Sequence, residues 1–92
     1  RTGEIRGVVV EQETMQPVEG AVVRLREKTL NAVKEPKVTR SSADGTFAYT
    51  DIYIVEFIIE AEGPNGGASE EERYHLYFAG QDFTLPSPLI LR

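Results

Sequence analysis

The chain contains no cysteine and no tryptophan, and it has a single histidine and a single methionine. Without cysteine there are no disulfides, no thiolate zinc sites and no cysteine nucleophile. No run of 18 apolar residues exists, so no segment reads as a membrane-spanning helix. Basic residues are outnumbered 15 to 10. Four of them fall between Arg24 and Lys34, but Glu27 and Glu35 dilute that stretch. Phosphate neutralisation needs clustered Lys and Arg, so nucleic acid is not an expected partner. The first residue is Arg1, with neither Met nor an apolar leader, and the expectation is a processed chain or an excised domain.

What is present is enough for one core. Ninety-two residues, 40% of them hydrophobic, suit a single domain over residues 1–92. A chain of this size buries roughly 60–65% of its unfolded surface. Apolar residues recur mostly at spacing two, which favours strands. In residues 3–11, Ile5, Gly7 and Val9 share a face. In residues 20–27, Ala21, Val23 and Leu25 lie opposite Val22, Arg24 and Arg26. Phe47 and Tyr49 alternate with small polar residues. Phe57, Ile59 and Ala61 alternate with Glu56, Glu60 and Glu62, apart from Ile58. Residues 73–78 place Tyr74, Leu76 and Phe78 on one face. Each segment fits a strand with one dry and one wet face. Residues 30–36 are the one place a helical turn is expected, ended early by Pro36. Residues 82–92 read as a last strand broken at Pro86 and Pro88.

"SSADGTFAYTDIY", residues 41–53, offers two readings. A calcium loop needs oxygen ligands at alternating positions and a bidentate Glu near its end. Counting back from Asp44, those positions hold Ser42 and Arg40; counting forward, Thr46 and Ala48. A guanidinium does not share a cation site, so the loop reads instead as a hairpin. Asp44-Gly45 is its corner, with both residues at positive φ, and residues 37–42 pair through it with the strand that follows. Seven or so short strands separated by turn residues predict an all-β Greek-key sandwich of antiparallel strands.

"GEIRGVVVEQETMQPVEGAVVRLRE" followed by "TRSSADGTFAYTDI" resembles the carboxypeptidase regulatory-like domain, a transthyretin-like (prealbumin-like) β-sandwich. The matching positions are Gly7 and Val9, then Pro17, Val18, Gly20, Ala21, Val23 and Leu25, then Asp44, Gly45 and Phe47. The resemblance covers residues 3–62. It departs at Ser42, where Asp is usual, at Val55, where Gly is usual, at Gly63-Pro64, and in a short insertion at 28–37. It implies a non-catalytic accessory or spacer module of a larger secreted or surface-exposed bacterial protein. The implied location is extracytoplasmic: periplasmic, outer-membrane-associated or secreted. The implied partners are neighbouring domains of the parent chain.

No catalytic, cofactor-binding or metal-binding residue emerges, and no cofactor is expected. His75 is a solvated strand histidine. Glu56, Glu60 and Glu62 keep an outer face wet, with Arg24 and Arg26 as cross-strand partners. The alternative function is a ligand-binding module. It would take carbohydrate on exposed rings, for which Tyr53, Tyr74 and Tyr77 are the candidates, or a peptide strand at a sheet edge. Val8, Val10 and Val22 lie opposite the inferred core faces and are candidates for an apolar interface. That leaves a monomer or a weak dimer open.

Some sandwiches of this shape, in bacterial adhesins, form Lys–Asn isopeptide bonds between first and last strands. Here the first strand offers Glu4 and Arg6 but no Lys, and "LILR" offers no Asn. Intact mass spectrometry of the folded chain should return the unmodified formula mass; a deficit of one ammonia would show that a cross-link forms.

Overall fold

The computed structural model describes residues 2–28 and 35–92. The helical turn expected over 30–36, and most of the 28–37 insertion, lie outside the described residues. Among those described there are eight strands and no helix: β1 (Thr2–Glu11), β2 (Val22–Lys28), β3 (Lys37–Arg40), β4 (Thr46–Tyr53), β5 (Glu56–Glu62), β6 (Glu72–His75), β7 (Asp82–Thr84) and β8 (Leu89–Leu91). They form two sheets. The first runs β4-β1-β7, with β8 also pairing with β1; the second runs β3-β2-β5-β6. This is the expected β-sandwich, mostly antiparallel. The exceptions are β7 and β8, which both run parallel to β1. The prolines at 86 and 88 break the closing strand into these two pieces, because proline cannot donate to a ladder.

The alternation read from sequence places the core. Ile5, Val9, Val23, Leu25, Phe57 and Ile59 are fully buried, and Ala21, Ala61, Phe47 and Tyr49 nearly so. Leu76, Leu85, Leu89 and Leu91 close the layer between the sheets. Gly7 faces Phe47 directly across the β1–β4 ladder. A Cβ there would sit 2.5 Å from the Phe47 ring, so the glycine is what lets the ring lie across the strand.

The corner at Asp44-Gly45 is present but is not a hairpin between paired strands. The Gly45 N–H bonds back to the Ser42 carbonyl at 2.8 Å and the Ser42 N–H to the Thr46 carbonyl at 2.9 Å. Of the two corner residues only Gly45 takes positive φ, at +80°. This is a longer loop ending in a left-handed glycine. It carries the chain from one sheet to the other: β3 pairs with β2, and β4 pairs with β1. Two long-range contacts impose the crossing. Ser41 is buried, donating to the Val18 carbonyl and accepting from the Ala21 N–H at 2.9 Å. The Gly45 carbonyl accepts from the Val9 N–H at 2.8 Å. Residues 12–21 likewise cross from β1 to the other sheet. Val10 bridges to Pro17, and the Val18 N–H bonds the Val9 carbonyl at 2.9 Å.

A bulge sits in β4. Gly3 pairs with Ile52 and Ile5 with Tyr49, so Thr50 and Asp51 together oppose Glu4. Asp51 takes φ +58°. The extra residue resets the alternation, so Tyr49 and Ile52 both point inward. The outer edge of β4 is also closed at its ends. Asp44 Oδ1 accepts from the Thr46 N–H at 3.1 Å, and Ser42 occupies the Thr46 carbonyl. The Glu27 carboxylate holds the Tyr53 N–H at 2.7 Å, and Lys37 Nζ holds the Asp51 carbonyl at 3.1 Å. Among the described residues, the outward backbone groups of Ala48 and Thr50 are given no such partner.

Residues 73–78 do not stay in one strand. β6 ends at His75, because its neighbour β5 starts at Glu56, the residue opposite His75. Leu76 is buried, whereas Phe78 is 61% exposed on the loop that follows, not in the core.

Gly45 and Gly20 share a left-handed φ, +80° and +79°, but differ in surroundings. A Cβ at Gly45 would lie 2.7 Å from the Val9 carbonyl oxygen and 2.8 Å from Pro17 Cβ; at Gly20 it would meet nothing. Gly20→Ala should cost about 1 kcal/mol, the price of the conformation alone. Gly45→Ala should exceed it by more than about 1 kcal/mol, since backbone must shift. Urea unfolding of the two variants measures the difference, and equal losses would show that the crossing is loosely packed.

Candidate functional site

The two groups of candidate residues meet different fates. Val8 and Val10 are on the outer face of the first sheet and Val22 on that of the second, so they do not make one patch. The reason is the crossing at 12–21: strands that follow each other in sequence turn their outer faces in opposite directions. Val10 is almost fully buried, flanked by Ile90 in the ladder and by Pro17. The "PLILR" segment thus extends the sheet beside Val10 and does not lie over it. Val8 lines an open depression of about 490 Å³ with Arg6, Thr46, Ala48 and Thr84. Val22 sits between Arg40 and Glu62. Ile58, outward on β5 and buried, lies between Arg26 and Arg73 in the ladder, where long aliphatic stems can shield an apolar neighbour.

The outer face of the second sheet is a charged lattice. Arg24 pairs with Glu62 at 3.0 Å, Arg26 with Glu60 at 3.9 Å and Glu71 at 2.6 Å, and Lys28 with Glu56 at 3.6 Å. These are the cross-strand partners expected from the alternating Glu residues. Each exposed pair contributes a few tenths to about 1 kcal/mol. Among the described residues no group of three or more His, Cys, Asp or Glu is placed to hold a metal ion.

The tyrosines occupy three environments. Tyr53, at the end of β4, is partly exposed, with the Lys37 ammonium 6.0 Å from its ring centre. Beneath it lies Glu27, which is only 2% exposed and takes an ion pair from Lys37 at 3.5 Å. Glu27 was legible in principle: it shares parity with Val23 and Leu25, which places a carboxylate on the core face at the strand's end. Tyr74 is half-buried, its ring 5.9 Å from Phe57 and 5.4 Å from Phe83, and it belongs to the core margin. Its hydroxyl donates to Glu72. Burial, with the Glu72 carboxylate adding to it, raises its pKa to about 12. Tyr77 is 74% exposed and stacks on His75, centroids 4.7 Å apart and planes 21° from parallel. A depression of about 480 Å³ opens beside this pair, lined by Glu56, Arg73, Tyr74, His75, Tyr77 and Phe83.

Tyr49 is structural. Its hydroxyl donates to the Val23 carbonyl at 2.6 Å, with the Lys37 carbonyl 3.0 Å away, so a ring from the first sheet is tied to strands of the second. Burial pushes its pKa above the ordinary tyrosine value. Asp44 moves the other way: the Thr46 hydroxyl and N–H hold its carboxyl below the usual range.

No protein-family model matches the chain, and no curated protein does. Solved structures do. The dioxygenase domain of a dioxygenase–carbohydrate-binding protein fusion from the cellulolytic bacterium Streptomyces sp. SirexAA-E aligns at a TM-score of 0.69 and 12% identity, over 98% of this chain and 79% of that one. A streptococcal ancillary pilin aligns at 0.68 and 13%, over 99% of this chain and 30% of the pilin. The group B streptococcus pilus 2b backbone protein aligns at 0.65 and 19%, over 99% of this chain and 39% of that one. At these identities the likeness establishes the fold, a pilin- and prealbumin-like β-sandwich. The chain spans about a third of the length of the pilins.

Tyr49 and Tyr74 are both neutral in the fold with pKa values above the ordinary 10.0. A raised folded pKa means the associated stability is full below pH 10 and is lost as the pH climbs through the folded values. Thermal melts should therefore be flat through neutral pH and fall above about pH 10. The fall should be shallower in Tyr49→Phe with Tyr74→Phe; an equal alkaline loss in that double variant would place its origin elsewhere.

Proposed function

We propose that this chain is a non-catalytic spacer and accessory module of a larger extracytoplasmic, surface-exposed bacterial protein, of the carboxypeptidase regulatory-like kind. Its partners are the domains on either side of it in the parent chain.

The observation that carries this reading is the direction of the terminal strands. β1, ten residues long, extends about 30 Å in a body 37 × 23 × 17 Å. Thr2 pairs with Tyr53 at one end, and Leu91 pairs with Glu11 at the other. Because β8 runs parallel to β1, the path enters at one end and leaves at the opposite one. Modules of this kind chain head to tail without doubling back. Tension drawn through the ends loads the β1–β7 and β1–β8 ladders in shear, so their hydrogen bonds resist together. The likeness to pilin domains supports the same reading at the level of fold, and the ion-paired outer face of the second sheet suits a solvated spacer.

The absence of native cysteine makes attachment sites unique. With handles at Thr2→Cys and Arg92→Cys, force acts in shear. With handles at Thr2→Cys and Asp82→Cys, both at one end, it peels β1 from β7. Single-molecule pulling should show a distinctly higher unfolding force for the first pair, since forced unfolding reads the barrier and not the equilibrium stability. Equal forces would remove the mechanical basis of the spacer role.

A further inference from the structure

We infer that the His75–Tyr77 pair and Arg73 form a binding site for an acidic sugar residue of the uronate class, separate from the spacer role.

Three observations converge. The first is a fixed, uncovered platform. Tyr77 and Phe78 are consecutive large apolar side chains, and both are mostly exposed. They do not sit on a loose tip. The Tyr77 N–H donates to Gln81 Oε1 at 2.7 Å, the Gln81 N–H to the Phe78 carbonyl at 3.2 Å, and the Gly80 N–H to the Thr2 carbonyl at 2.9 Å. His75 Nδ1 lies 2.6 Å from the Leu76 carbonyl, so the proton is on Nδ1 and the ring's orientation is set. The imidazole then backs the Tyr77 ring in a near-parallel stack. A rigid ring with one face backed and the other open loses little entropy on binding. Its open face suits the C–H face of a pyranose.

The second is charge. Arg6, Arg24, Arg26 and Arg92 each hold a carboxylate. Arg40 reaches only the Gly20 carbonyl, at 3.5 Å. Arg73 holds no carboxylate among the described residues either, and unlike Arg40 it lines the same depression as Tyr77. A planar guanidinium free of its own counter-ion is matched to a carboxylate through two parallel hydrogen bonds. The one carboxylate that also lines the depression, Glu56, is engaged by Lys28 at 3.6 Å and is left to accept from sugar hydroxyls. Glu72, nearby on β6, is taken by the Tyr74 hydroxyl.

The third is size. A depression of about 480 Å³ accommodates one or two sugar rings. The inner wall, Tyr74 and Phe83, is anchored in the core through Phe57, so the cavity is built on the sandwich and not on the loop alone.

The probe pair that isolates the carboxylate is trigalacturonate and its methyl ester, which share a skeleton and differ in charge. Titration followed by nuclear magnetic resonance should move the Tyr77, His75 and Arg73 signals with trigalacturonate. The acid should bind about tenfold or more tighter than the ester, the range of a charge-assisted hydrogen bond. Tyr77→Ala should abolish binding of both. Arg73→Met should reduce the acid to the affinity of the ester, while melting as the parent does. Equal binding of acid and ester by the parent, or shifts confined to other residues, would overturn the assignment. So would unchanged binding in either variant, or no binding of either probe. None of these outcomes bears on the pulling experiment.

Discussion

Every part of this sandwich is referred to a single strand. β1 is ten residues long and, among the described residues, is the only strand with partners along both edges in the first sheet. β4 lies antiparallel on one side, and β7 and β8 are parallel, one after the other, on the second. Its inward residues Ile5 and Val9 sit at the floor of the core. Its Gly7 admits the Phe47 ring, and its Val9 backbone receives both chain crossings, the N–H bonding the Gly45 carbonyl and the carbonyl accepting from the Val18 N–H. Losing β1 would unpair three strands at once. Truncating the inward rings that lean on it, Phe47 above all, removes about 3–5 kcal/mol. That is a large share of the stability of a domain this size.

The sheet faces were legible from alternation because one side of each long strand is dry. β1, β2 and β5 follow that rule closely, and two outward residues break it: Val10, flanked by Ile90 and Pro17, and Ile58, flanked by Arg26 and Arg73. Pairing was less legible. The turn chemistry at Ser42–Gly45 announces a reversal, but it does not say which sheet receives the next strand. That is decided by Ser41 and Val9, through contacts twenty or more residues apart in sequence. The same limit hid the end of β6. The alternating pattern runs on through Tyr77 and Phe78, yet a strand stops where its neighbour stops. In the site, the exposed rings could be nominated from sequence, but not which ring would be backed by His75 and which would sink against Phe57. The lone histidine, solvated as expected, turns out to support a ring.

The second sheet and the ends of the body divide the labour. Alternating Arg and Glu on β2 and β5 neutralise one another across the ladder, so that broad face presents no field of one sign and little apolar area. The most exposed rings, Tyr77 and Phe78, and the Arg73 guanidinium collect beside the short strand β6 and the loop after it. On the spacer and sugar-site proposals, that arrangement would leave the length of the body for connection and its margin for recognition.

The edge of β4 carries a consequence for a molecule strung with such units. Linked copies experience one another at effective concentrations in the millimolar range. At that density a long bare strand edge invites lateral zippering into mixed sheets. Here the carboxylates of Asp44 and Glu27, the ammonium of Lys37 and the backbone of Ser42 already occupy most of the groups a foreign strand would need. What remains along this edge is short, so the edge of β4 is a poor template for lateral pairing.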